Sequence, residues 1–253
     1  MKKNNLICCR LKRLPRSMLV EAARTATRIN PMNHPPQRIA VMTTSYWGAA
    51  GVKLTVGFLD NPAADLRKRI LLHMNAWNRE ANIRFVAANT DPQVRISRVG
   101  GNDGGYWSYV GTGILHIPKG EATMNLEAFT METPESEFHR VVRHEAGHTL
   151  GFPHEHMRRA LVEKIDRKKA IAYFKREDNW DERETIDQVL TPIEEAAIRG
   201  TIADPKSIMC YQIPGEITRN GKPIVGGLDI DKSDYAFAAQ IYPKPPAPPQ
   251  TRD

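Results

Sequence analysis

Three histidines, one glutamate and one glycine within residues 144 to 154, written HEAGHTLGFPH, restrict this chain more than any other feature. On a helix, His144 and His148 are four apart and share a face, so two ring nitrogens can reach one zinc ion at about 2.0–2.1 Å. Glu145 starts one position further round. It is poorly placed to be a third ligand but can reach a water at the metal, as a general base must. His154 cannot belong to the same helix, since six residues past His148 it would point away. Gly151 resolves this, because glycine takes the left-handed conformation at a helix C-terminus and lets the chain turn back toward the metal. Three neutral imidazoles then leave a fourth position open, which separates a catalytic zinc from a structural one. The expectation is one catalytic Zn2+ held by His144, His148 and His154, with Glu145 as base in a metal-assisted hydrolysis.

With Glu155 added, HEAGHTLGFPHE resembles the metzincin clan of zinc peptidases, and the glutamate directly after the third histidine is similar to the astacin family within it. Ser207-Ile208-Met209-Cys210-Tyr211 resembles the methionine turn of that clan. The stretches around Val94–Val99, Trp107–Gly111 and Thr123–Leu126 resemble bacterial members. The resemblance implies that Met209 forms an apolar floor under the imidazoles without ligating. It implies that Tyr211 coordinates zinc or stabilises the tetrahedral intermediate, and that Glu155 anchors the lower lobe or a processed N-terminus. Cys210 stands where a histidine is often found and receives no role.

The fold implied is α+β, with a twisted, mainly parallel mixed sheet and two helices in an N-terminal lobe and a more helical C-terminal lobe. The activity implied is zinc metalloendopeptidase, acting on protein or peptide substrates as a monomer, with a secreted or cell-envelope location. The alternative is a catalytically silent zinc-binding module for protein interaction, and the intact Glu145 counts against it.

The net charge of +7 suggests nucleic acid until its distribution is considered. Residues 1–38 hold nine Lys or Arg against Glu21 alone, a charge of +8, so the remainder carries −1. The basicity belongs to the N-terminal segment, and no nucleic-acid partner is expected. The apolar run Leu6-Ile7-Cys8-Cys9 is too short for a signal-peptide core. Residues 1–38 therefore read as a disordered pro- or targeting segment, 39–243 as the catalytic domain and 244–253 as a proline-rich disordered tail. No apolar run is long enough for a membrane span. Three cysteines do not make a disulfide framework. Cys8 and Cys9 lack the surrounding motif of the pro-segment thiols that block zinc in some metzincins, and they read as ordinary thiols.

Val52, Leu54, Val56 and Phe58 alternate with Lys53, Thr55 and Gly57, the period of a half-buried strand. A helix opening at Asn61-Pro62 has Leu66, Ile70, Met74 and Trp77 on one side, with His73 expected on its surface. Ile83–Val86 and Val94–Val99 read as strands. An edge strand facing the substrate is expected at Ile114–Ile117 or Thr123–Leu126. Thr133-Pro134-Glu135 reads as the start of the active-site helix, whose apolar side is Phe138, Val141 and Val142. Further helices are expected over 166–176, 191–199 and 233–242. His116 reads as a surface residue with a ligand role as the alternative, His139 as facing away from the site, and His156 as surface or support for the site.

Overall fold

The computed structural model describes residues 9–33, 45–101, 104–193 and 203–246. Its sheet has six strands: β1 (Arg10–Lys12), β2 (Val52–Phe58), β3 (Ile83–Ala87), β4 (Val94–Ser97), β5 (Tyr106–Tyr109) and β6 (Met124–Leu126). They lie in the order β1-β5-β6-β4-β2-β3, and every neighbouring pair is parallel except β5 with β6. Val52, Leu54 and Val56 are buried while Lys53 is exposed, as the alternation of β2 requires. All four residues of β4, at the middle of the sheet, are buried.

The N-terminal lobe contributes α1 (Leu19–Ile29) and α2 (Ala64–Met74), the latter continued by a 3-10 turn, Asn75–Arg79. After the sheet, α3 (Glu135–Glu137) passes through a π turn, Phe138–Val142, into α4 (Arg143–Thr149). The C-terminal lobe holds α5 (Arg159–Val162), α6 (Arg167–Glu177) and α7 (Glu182–Thr185). A second π turn, Ile186–Leu190, follows α7, and α8 (Lys232–Ile241) is the last helix among the described residues. Leu66, Ile70, Met74 and Trp77 of the α2 region pack with Phe138, Val142 and Ala146 in the larger core. A second core joins Leu161, Phe174, Trp180 and Val189 to Cys210 and Tyr211. The active-site helix lies with the first core, and the Ser207–Tyr211 turn links it to the second.

Several expectations change. Residues 9–33 are ordered, against the disorder expected for 1–38. β1 joins the sheet with Leu11 buried, and Asn30 and Asn33 tie the end of α1 to Trp47 and Tyr46 through side-chain bonds of 2.7–3.2 Å. A basic, acid-poor composition discourages a self-contained core, but this segment borrows one from the sheet edge. The predicted edge strand is also misplaced. Residues Gly111–His116 form a 3-10 turn entered at Gly111 with φ 50°, where a Cβ would meet the Ser45 carbonyl, and β6 lies inside the sheet. Without β1, the free edge would be β5.

Thr191 is extended, and residues 194–199 of the helix expected over 191–199 lie outside the described residues. Thr133 does not cap the active-site helix. Its hydroxyl accepts from the Thr130 amide, and the helix begins at Glu135. The boundary at 38/39 and residues 247–253 of the tail also lie outside the described residues.

Candidate metal centre and active site

Side-chain donors hold both ends of α4 in place. Trp77 Nε1 donates to the Arg143 carbonyl at 2.8 Å, Trp47 Nε1 to Thr149 at 2.9 Å, and the Tyr242 hydroxyl to Leu150 at 2.5 Å. The helix then stops at Gly151, which has φ 97°. Its amide bonds the His148 carbonyl at 2.8 Å and the Phe152 amide bonds Gly147 at 3.0 Å. This pair of bonds is the Schellman closure that the left-handed glycine permits.

The turn returns His154 to the two helical histidines. His154 Nε2 lies 3.3 Å from His144 Nε2 and 2.9 Å from His148 Nε2. His144 Nδ1 donates to the Ile208 carbonyl at 2.6 Å and His148 Nδ1 to Phe152 at 2.7 Å. A carbonyl can only accept, so the proton of each neutral ring sits on Nδ1 and the Nε2 lone pairs face inward. Burial pushes His144 down to about 4 and holds His148 and His154 well below the usual histidine range, which keeps the rings neutral. Converging lone pairs at these distances repel unless a cation lies among them. A tetrahedral zinc with bonds of about 2.0–2.1 Å would set its ligands about 3.4 Å apart, so the donor set fits the metal.

A fourth donor is present, and it corrects the reading of Cys9 as an ordinary thiol. Cys9 Sγ and the three histidine nitrogens lie within 4.8 Å of one another, and all four residues are buried. The signal available in the sequence was a cysteine beside a short basic stretch, too weak to connect it with residues 135 positions away.

Around this group lie the other expected residues. Glu145 is 1% exposed, and no nitrogen or oxygen of the described residues bonds its carboxylate. Burial pushes its carboxyl up to about 8, while the Cys9 thiol beside it pulls the other way. The Tyr211 ring lies 4.3 Å from His154 and stacks on His156 at 4.0 Å. His156 is therefore an interior support, with Nε2 donating to the Gln188 carbonyl at 3.0 Å. Glu155 accepts from the Asp204 amide at 3.0 Å, and its own amide bonds the Met209 carbonyl at 2.8 Å, so it ties the third-histidine turn to the Met209 turn.

Met209 is buried against α4, and a Cβ on Gly147 would come within 2.5 Å of its sulfur and 3.1 Å of Trp77. Gly147→Ala should therefore lose about 1–3 kcal/mol through overpacking, seen as a lower thermal midpoint. The turn itself is fixed from α8. Asp234 accepts from Ser207 Oγ at 2.6 Å, the Ile208 amide at 2.9 Å and the Asp231 amide at 3.1 Å. Asp234→Ala leaves a buried amide unpaired and should lower stability by about 2–4 kcal/mol in urea unfolding.

His73, Glu135 and His139 form a second group of potential ligands. His73 is 2% exposed, contrary to the surface position expected. Arg143 Nε donates to its Nδ1 at 3.4 Å, which places the ring proton on Nε2, 3.1 Å from Glu135. With Arg69 on Glu135 at 2.7 Å and Asp229 on His139 at 2.9 Å, this is a network of ion pairs and not a set of converging lone pairs.

Three buried neutral imidazoles on a helix and its returning turn, with an adjacent carboxylate and a buried methionine packed against the helix at Gly147, define a zinc peptidase of the metzincin kind. The Astacin peptidase family matches residues 42–220, and this chain belongs to it. Among solved structures, "Structure of myroilysin" aligns with TM-score 0.73 and 30% identity over 79% of this chain and 97% of that one. A second, "Crystal structure of myroilysin", aligns with TM-score 0.60 and 28% identity over 93% of this chain and 99% of that one. The Oryzias latipes (medaka) high choriolytic enzyme 1, a hatching enzyme zinc-protease, shares the fold at TM-score 0.51 and 20% identity, over 77% and 92% of the chains. No curated protein matches in sequence. The chain is a zinc metalloendopeptidase with protein or peptide substrates. Among the described residues no helix is long and apolar enough to cross a membrane.

Proposed function

We propose that the chain hydrolyses peptide bonds with His144, His148 and His154 as zinc ligands, Glu145 as general base and Tyr211 as oxyanion donor, and that residues 9–33 hold it latent. When bound, zinc supplies the positive charge that acidifies water and polarises the substrate carbonyl. Glu145 takes a proton from the attacking water as the new C–O bond forms. It returns that proton to the amine nitrogen as the C–N bond breaks. The Tyr211 hydroxyl, fixed by the stack on His156, donates to the carbonyl oxygen as it gains charge. Met209 and Gly147 keep the imidazoles level from below, Gly151 returns the third ligand, and Glu155 holds the two turns together.

The observation that carries the latent state is Cys9, whose sulfur lies with the three imidazoles while the strand after it covers the edge of β5. Arg10, Lys12 and Arg13 make their contacts within the chain, and the proposal is of a monomer with no nucleic-acid partner. Full-length Cys9→Ser should cut casein at least severalfold faster than wild type at equal zinc content. Equal rates would remove the thiol from any role in latency.

A further inference from the structure

The slot filled by β1 is built to hold a basic strand. We propose that this slot is the substrate groove and that it selects polypeptides in which basic side chains flank an apolar one beside the scissile bond. This rests on the reading above, in which the N-terminal segment covers the cleft of a working peptidase.

On one side of the slot, β5 pairs in parallel with β1, Leu11 opposite Ser108. On the other, the Gln188 side chain grips the main chain of Leu11 at both ends. Its Oε1 accepts the Leu11 amide at 3.0 Å and its Nε2 donates to the Leu11 carbonyl at 3.2 Å. A main-chain clamp of this kind takes any extended strand, whatever its side chains. The clamp is built onto the metal site, because the Gln188 carbonyl receives His156, the residue under Tyr211.

The side-chain contacts supply the choice. Arg10 meets Glu184 at 3.4 Å and lies over Trp180 at 5.9 Å. Lys12 Nζ lies 4.7 Å above Trp107. Arg13 donates to the Asp187 carbonyl at 2.7 Å, with the Asp187 carboxylate 4.0 Å away. Leu11, between the cations, is buried. Two carboxylates and two indoles therefore face a strand that begins one residue from the metal group. Once the segment leaves, the acidic wall loses its cations and attracts a basic polypeptide in their place. The contacts are partly exposed, so the preference is graded and salt-sensitive.

The test uses the full-length Cys9→Ser protein and two otherwise identical fluorogenic peptides. One carries Arg-Leu-Lys-Arg and the other Glu-Leu-Glu-Glu on both sides of the cleavable bond. Residual competition by the segment scales both kcat/KM values alike and cancels in their ratio. The expected ratio is about tenfold in favour of the basic peptide at low salt, as two or three exposed charge contacts allow. It should fall below about twofold in Glu184→Gln/Asp187→Asn and invert in Glu184→Lys/Asp187→Lys. Binding of the labelled peptides to the Cys9→Ser/Glu145→Gln protein is measured in parallel by fluorescence anisotropy and should show the same order. A wild-type-groove ratio near one, or one unmoved by the double substitutions, overturns the groove while casein hydrolysis leaves the peptidase reading standing. Tighter binding of the basic peptide with no hydrolysis of casein or either peptide supports the groove and overturns the peptidase reading instead.

Discussion

Glu145→Ala should cut casein hydrolysis by about a hundred- to ten-thousandfold while zinc stays at one ion per chain. The expectation follows from what the side chain does not do. It is not needed to hold the metal, because three imidazoles already converge, and it makes no bond to any nitrogen or oxygen of the described residues. A carboxylate buried without such partners is costly, and the chain keeps it beside the imidazoles. Burial lifts its pKa to about 8 and a cation among the imidazoles would bring it back down, which places it within reach of the working pH for taking and returning a proton. The measurement is the initial rate beside metal content by atomic spectroscopy, with the Cys9→Ser background used for both proteins. Undiminished hydrolysis at full zinc would remove Glu145 from the chemistry, and loss of zinc would move it from base to ligand.

His148→Ala should fail differently, losing both metal and activity. His148 is fully buried, its Nδ1 is tied to the Phe152 carbonyl, and its Nε2 faces His154 at 2.9 Å. Removing it deletes one of three nitrogen donors and leaves a buried carbonyl without its partner. Partners that merely orient a ligand are worth about ten- to a hundredfold in metal affinity, so loss of the ligand itself should exceed a hundredfold. After gel filtration the protein should carry almost no zinc, and hydrolysis should sit at background. Retention of one tight zinc by His148→Ala would show that the four-residue spacing does not mark the site. The contrast between the two variants separates binding from chemistry within one turn of helix.

Much of this site was legible because its chemistry is local. His144, Glu145, His148, Gly151 and His154 lie within a single helix and the turn that ends it, and the geometry of an α-helix together with the backbone freedom of glycine fixes their relation whatever the rest of the chain does. The alternation of β2 and the apolar side of α2 were legible for the same reason, since each repeats at the period of its own element. The Met209 turn was recognisable by resemblance, yet its support by Asp234 was not, because that bond joins residues 26 apart whose pairing no local pattern encodes.

The N-terminal segment shows where sequence alone stops. A three-residue strand has no periodicity to detect, and a basic composition favours solvent when it is considered in isolation. Only the folded body provides the edge of β5, the amide of Gln188 and the carboxylates of Glu184 and Asp187 that order it. The same long-range packing buried His73 and His156 and brought Cys9 to the imidazoles. The sequence by itself determined how the candidate ligands, the candidate base and the turn between them are spaced, because covalent spacing and helical geometry set those distances. The tertiary structure decided what covers the metal group and which side chains face the strand beside it, because contacts between remote segments form only when burial and main-chain pairing outweigh the entropy of closing the loops between them.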